Sequence, residues 1–318
     1  MALGLTIRFG VNTKKQRATS PWELGGLALP ELLKRTWTEI SNDDGWDSAA
    51  ALGYYFLFAL FPMLLFLMSI LVAFSSTALM DTLLGAIGRT MPWDAYRLLA
   101  EEIKKIISQS TGALITFGML GTLWAASSGV VSIMDALNRA YEVRETRSFV
   151  KRHLMALGLT VALAMLAILG AGLLVACDRI AVLLYEWLPL PWMKGFGIAF
   201  GIVGGLAGMF IGLEIMFYFG PNVENPKWYW ATPGSLAAVV IWIAISFGFS
   251  EYLRFGTSYS VTYGSIGGVM VLMLWLYILG LAIVIGGEMN SEIAKAALAR
   301  GNIDAPHVGA ERAEAVAS

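Results

Sequence analysis

TYGSIGGVMVLMLWLYILGLAIVIGGEMNSEI, Thr262–Ile293, decides the fold. From Ile266 to Gly287 it contains no charged residue, and it then runs straight into Glu288, Asn290 and Glu292. A continuous apolar stretch of about 18 residues or more is long enough to cross the hydrocarbon core of a bilayer as a helix. Strands of a membrane barrel would alternate apolar and polar residues in segments of about ten, and this stretch does not. The reading is therefore an α-helical membrane span, and the rest of the chain agrees. Of its 318 residues, 57% are hydrophobic and only 14% are charged, outside the range of ordinary soluble domains.

Five further apolar runs give an all-α polytopic protein of six transmembrane helices. They are expected at Ala49–Phe74, Gly112–Met134, Leu154–Cys177, Phe196–Phe219, Gly234–Phe249 and Ile266–Gly287. Thr232 and Pro233 mark the start of the fifth, as a cap and a first-turn proline. Lys and Arg set the orientation. Fifteen of them lie in the N-terminal segment, the loops after spans two and four, and the tail, against seven in the other loops. Both termini are expected in the cytoplasm. The chain then divides into a cytoplasmic segment 1–46, a membrane domain 47–293 with an external loop 75–111, and a flexible cytoplasmic tail 294–318.

Two amphipathic segments lie outside the spans. Leu29, Leu32, Leu33, Trp37 and Ile40 share a face of Leu29–Ile40, as in a helix lying on the inner membrane surface. Trp93–Ser108 sets Leu98, Leu99, Ile103, Ile106 and Ile107 against Glu101, Glu102, Lys104 and Lys105 on the outer side.

Several chemistries find no support. There is no GxxxxGK[ST] phosphate loop and no GxSxG elbow. His153 and His307 stand apart from each other and from Cys177, the single cysteine, so no zinc or other metal-ligand set is legible. No cofactor and no nucleic-acid partner is expected; the partners are membrane lipids, with a lipid or amphiphile as substrate.

Candidate ligand residues are polar groups set in apolar runs, because burying them there is costly. Glu214 closes the uncharged run Phe196–Leu213 and could take a proton, a cation or a polar headgroup. Asp47 precedes span one, where it could cap the helix. Pro62 should kink that span, and Tyr54 and Tyr55 could then line a cavity. At the cytoplasmic end of span two, Asn138, Arg139 and Arg144, with Arg147, could form a rim for an anionic headgroup; an Asp135–Arg139 ion pair is the plainer alternative.

DSAAALGYYFLFALFPMLLFL, SSGVVSIMDALNRAYEVRETRSF, GPNVENPKWYWATPGS and the opening stretch, in that order, resemble the blocks of the YihY/BrkB family of bacterial inner-membrane proteins. The resemblance covers roughly Leu32 to Lys295. It implies six spans in the bacterial inner membrane, and it brings an old ribonuclease label, links to virulence and, for one branch, export of a lipid A precursor. It carries over no catalytic residues. Short cytoplasmic loops without metal ligands disfavour the ribonuclease. Transport or flipping of a lipid or amphiphilic envelope molecule is the leading expectation. A small-solute or ion channel or carrier, and an envelope scaffold that transports nothing, are the alternatives.

At 100° per residue, Gly264, Gly268, Gly286 and Asn290 fall on one side of the sixth span with Trp275, and Gly264 and Gly268 make a GxxxG pair that lets helices approach. Gly280 and Gly287 share a second face. Small-residue faces suit packing within one chain or a homo-oligomer equally. Glu288 and Glu292 lie on a third side, at the expected border with water, paired with basic groups such as Lys295. The opening stretch thus reads mainly as a packing spine.

Overall fold

The computed structural model describes residues 20–73, 112–187, 193–255, 259–302 and 305–309, with residues 85, 88, 96, 97 and 101. Most of the expected external helix Trp93–Ser108 lies outside the described residues, as does the segment before residue 20.

Among the described residues, seven helices follow a short 3-10 turn, Pro21–Gly26: α1 (Leu29–Asn42), α2 (Gly45–Ala73), α3 (Gly112–Ala140), α4 (Phe149–Trp187), α5 (Met193–Phe219), α6 (Pro233–Phe255) and α7 (Tyr259–Ala299). Among the described residues there is no strand, only an isolated bridge between Glu224 and His307. Six of the helices overlap the stretches expected as spans. Phe149–Leu173, Ala199–Phe219 and Gly268–Ala299 are long and apolar enough to cross a membrane, and Pro233–Phe249 is a shorter apolar helix. Their outer faces stay apolar where nothing covers them: Leu169 is 64% exposed and Phe247 69%. A soluble protein does not leave such faces bare on helix after helix; hydrocarbon is their solvent.

α7 is the spine. It packs against α1, α2, α3 and α6, while α5 packs on α4 and α6. Glycines permit the close crossings, and each faces a different neighbour. A Cβ on Gly280 would lie 2.8 Å from Leu52 Cβ of α2, one on Gly287 2.8 Å from Leu137 Cδ2 of α3, and one on Gly286 2.6 Å from the Gly234 carbonyl of α6. Gly280 and Gly287, expected on one shared face, therefore serve separate partners. Gly268 is half-buried. The surroundings of Gly264, within α7, fall outside the described residues.

α1 forms as expected, but its apolar face is divided. Leu32 and Ile40 are buried with Thr36, and Leu32 packs on Met289 and Ile293 of α7. Leu29, Leu33 and Trp37 remain exposed, with the Trp37 ring edge-on to Trp46 at 5.6 Å. The helix is thus docked on the bundle by one stripe and offers a second outward. The preceding turn is seated just as tightly. Gly25, at φ 59°, has the Ile293 carbonyl 2.5 Å from where a Cβ would stand, so only glycine fits.

Part of the tail, residues 305–309, is among the described residues. The His307 N–H donates to the Glu224 carbonyl at 3.3 Å and the Gly309 N–H to the Tyr141 carbonyl at 3.1 Å. Backbone bonds thus tie these residues to the loops at Glu224 and Tyr141.

Candidate functional site

Among the described residues, the helices line two spaces of note. The larger is a cavity of about 520 Å³ between α2, α3, α4, α5, α6 and α7. Its walls are almost wholly apolar, among them Phe56, Met63, Leu163, Met209 and Ile283, with Thr160 the one hydroxyl. The indole N–H groups of Trp242 and Trp275, both on this lining, have no hydrogen-bond partner. Thr160 donates back to the Ala156 carbonyl at 2.8 Å, so it offers the space little polarity. Pro62 lies inside α2 beside the lining residue Met63 and withholds the N–H that the Phe58 carbonyl would receive in a regular helix.

Tyr54 and Tyr55 do not line this cavity. They are half-exposed on the outer face of α2, where Tyr54 packs against Phe58 with ring centroids 4.7 Å apart. α2 turns Phe56, Ala59, Leu60 and Met63 inward instead. The helical period sends 54, 55 and 58 to the opposite side.

The smaller space, about 90 Å³, lies at the end of α5 and includes Glu214, Tyr141, Lys227, Thr232 and Asn290 in its lining. Glu214 is only 3% exposed. Its Oε1 accepts from the Thr232 N–H at 2.6 Å and the Thr232 hydroxyl at 2.8 Å. Asn290 donates to Thr232 Oγ1 at 3.0 Å and accepts from the Gly234 N–H at 3.0 Å. Thr232 Oγ1 in turn receives the Ser235 N–H at 3.2 Å, the capping expected for the fifth span, with Pro233 as the first helical residue. So α5, α6 and α7 meet in one hydrogen-bonded knot, and Glu214 and Asn290 both belong to it. Burial raises the pKa of the Tyr141 phenol well above its ordinary value; the charges of Glu214 and Glu288 act the same way, and a hydrogen bond with Asn290 opposes them.

The arginine rim is used differently from either sequence reading. Arg147 is bound within the protein: it chelates Glu145 at 2.7 and 2.6 Å and donates to the Gly220 carbonyl at 2.8 Å. Asn138 donates to Glu145 at 2.9 Å and accepts the Asn222 N–H at 2.7 Å. Burial would favour the neutral form of Glu145, but the Arg147 bonds outweigh it and hold the carboxyl below the usual carboxylate range. Asp135 pairs with Arg152, while Arg139 donates to the Ser48 hydroxyl at 2.9 Å, so the expected Asp135–Arg139 pair is replaced by two longer-range ties. Arg139 and Arg144 stay exposed. Asp47 sits in the first turn of α2 rather than at its cap, because the helix begins at Gly45. An acid there still suits the positive end of the helix dipole.

Glu288 and Glu292 correct the expectation most. Both are buried, at 1% and 5% exposure, because α1 and the turn after α3 close over this end of α7. Glu292 has its basic partner, Lys295 at 2.9 Å, and Lys295 also reaches Glu142 at 2.6 Å. Glu288 Oε2 has no hydrogen-bond partner. Beside it, carboxylate oxygens of Glu39, Asp43 and Glu142 all lie within 4.8 Å of one another. This grouping was invisible in chain order, since its members come from α1, the turn after α3 and α7.

Comparison with known proteins places the chain. The family described as Virulence factor BrkB matches residues 36–308. A putative ribonuclease-like protein, YfkH, of Bacillus subtilis is 32% identical over 275 residues, covering 83% of this chain and 95% of that protein. UPF0761 membrane proteins of Stenotrophomonas maltophilia and Xanthomonas oryzae are 27% and 24% identical over 259 residues, 81% of this chain. The chain spans 59% of the length of these two. No solved structure matches. With most of its length matched and its helices bare of polar cover, this membrane protein belongs to the BrkB virulence-factor family.

Proposed function

We propose that the chain moves a lipid or another amphiphilic envelope molecule across the bacterial inner membrane, as a six-span bundle with both termini in the cytoplasm. The observation that supports this most is the apolar cavity of about 520 Å³. It falls within the size range of small-molecule pockets, about 300–1,000 Å³. Its walls suit an acyl chain and not an ion, which would give up its hydration for a lining that returns almost no polar contact. The smaller space supplies what the larger lacks. On α5, Gly212, Leu213 and Met216 face the large cavity, while Glu214, Phe217 and Tyr218 face the small one. Lys227 there, beside the hydrogen-bonded Glu214 and Asn290, supplies the polar contact for a headgroup at the cytoplasmic side. With no nucleotide-binding loop in the chain, movement is passive, coupled to a gradient or driven by a partner.

The test is reconstitution of the full chain in liposomes, with fluorescent lipid transfer between leaflets and ion flux measured side by side. Lipid transfer without ion flux is expected. A Cβ on Gly212 would stand 3.5 Å from the nearest side-chain atom, Leu163 Cδ2, which is ordinary contact. Gly212→Leu should therefore fold, fill the cavity and bring lipid transfer down to the protein-free rate. Ion flux without lipid transfer overturns the proposal in favour of a channel. Wild type that moves neither favours a scaffold.

A further inference from the structure

We propose that Glu39, Asp43 and Glu142, with the buried Glu288 beside them, form a binding site for a hard divalent cation, Mg²⁺, Mn²⁺ or Ca²⁺, where α1, the turn after α3, and α7 meet. The first ground is geometry. Oxygens of Glu39, Asp43 and Glu142 lie mutually within 4.8 Å. Metal–oxygen bonds of about 2.0–2.6 Å set that spacing for ligands on opposite sides of one ion. Glu39 on α1 and Asp43, its C-cap, are four residues apart, and the Asp43 N–H bonds to the Glu39 carbonyl at 2.8 Å, so they share a face.

The second ground is Glu288. It is 1% exposed, and its Oε2 meets no hydrogen-bond donor. The charged groups that act on it most strongly are Asp43, Lys295, Glu39 and Glu142, in that order. A carboxyl buried this completely with an oxygen left unsatisfied is costly. A cation held by the trio beside it offsets that cost.

Helix electrostatics point the same way. Glu39 and Asp43 sit at the C-terminal end of α1, whose last turn contains no basic residue. Negative charge there opposes the helix dipole. Lys295 is the basic group inside the cluster among the described residues, and it divides its contacts between Glu142 and Glu292. Glu142 adopts φ 50°, a left-handed conformation uncommon outside glycine, asparagine and aspartate; it lies between Tyr141 and Val143, whose N–H groups bond to Leu137 and Asn138 carbonyls at 2.9 Å. The donors are all carboxylate oxygens, with no histidine or cysteine among them, which selects a hard cation over zinc or copper. Bound there, the ion clamps α1 to the bundle and with it the exposed Leu29, Leu33 and Trp37. The inference is independent of the transport proposal.

The test uses the full chain, purified in detergent, stripped with EDTA and freed of chelator. Loss of the free Mn²⁺ electron paramagnetic signal should saturate at one ion per chain. Melting temperature should rise with Mg²⁺, Mn²⁺ or Ca²⁺ and not with Na⁺ at equal ionic strength. Asp43→Asn, which removes a ligand, and Glu288→Gln, which removes a carboxylate beside the ligands, should each weaken Mn²⁺ binding by about tenfold or more. In the wild type, the bound-Mn²⁺ spectrum should show oxygen ligands and no coupling to ¹⁴N, a readout that needs no variant. Absence of Mn²⁺ binding at millimolar concentration, a nitrogen ligand, or affinity unchanged in folded variants overturns the site.

Discussion

Glu214 and Glu288 are two carboxylates buried to nearly the same extent, at 3% and 1% exposure, in helices that lie against one another's neighbours. Their surroundings are opposite. Glu214 faces donors: the N–H and the hydroxyl of Thr232 both reach one of its oxygens. Glu288 faces acceptors: Asp43, Glu39 and Glu142 dominate its charged neighbours, with Lys295 the counterweight. The first arrangement satisfies a helix start and joins three helices. The second adds nothing to stability by itself and is intelligible as half of a binding site. Burial alone therefore says little about a membrane carboxylate; the sign of the groups around it separates a joint from a ligand.

The knot around Glu214 depends on how closely α6 and α7 approach, and the largest effect is expected from preventing that. In Gly286→Val, the new Cβ would fall 2.6 Å from the Gly234 carbonyl and 2.9 Å from Phe217. Both neighbours are fixed, one of them backbone, so the helices must separate and the Asn290 bonds to Thr232 and Gly234 must open. A loss of about 3 kcal/mol or more follows from overpacking of this severity, seen as a collapsed monodisperse peak and a low melting temperature in detergent. A variant that melts like wild type would mean that the crossing is loose and the knot incidental.

Removing the acceptor comes next. Glu214→Ala leaves the buried Thr232 hydroxyl without its acceptor and the Thr232 N–H with Ser235 Oγ alone, at 3.0 Å, at a cost of about 1–3 kcal/mol. Glu214→Gln keeps a carbonyl oxygen where Oε1 stands, and should cost only about 1 kcal/mol. Thermal unfolding of the pair tests this directly. Equal losses in both would show that the charge, and not the acceptor geometry, holds the joint together.

How much of this could be read in advance differs along the chain. Uncharged length is a local property, so the helix of the opening stretch and the start of α6 at Thr232–Pro233 were legible residue by residue. The two-sidedness of α1 was legible as amphipathicity, but not its division between Leu32 and Ile40 facing α7 and Leu29, Leu33 and Trp37 facing out, because that depends on a partner far along the chain. Glu288 was misread for the same reason. Its position at the end of an apolar run implies water, and only α1 and the Tyr141–Val143 turn, folding over it, take the water away. Arg147 looked like part of a surface rim until the loop after α5 brought the Gly220 carbonyl against it. Local pattern reports which residues are costly to bury; long-range closure decides which are buried.

The smallest expected effect completes the contrast, and it has the opposite sign. In chelator, Glu288→Gln replaces a carboxyl that faces acceptors with an amide whose NH₂ can donate to Asp43, Glu39 or Glu142. Giving the unsatisfied buried position a donor that can bond to these acceptors removes part of the cost of leaving it unpaired, so the apoprotein should gain up to about 1 kcal/mol. Adding Mg²⁺ should reverse the ranking, because wild type then gains binding energy that the variant has lost, in proportion to ion concentration over dissociation constant. Melting curves of both proteins, with and without the ion, should therefore cross. Parallel curves would place Glu288 with Glu214 as a structural carboxylate, and the difference between the two sites would disappear.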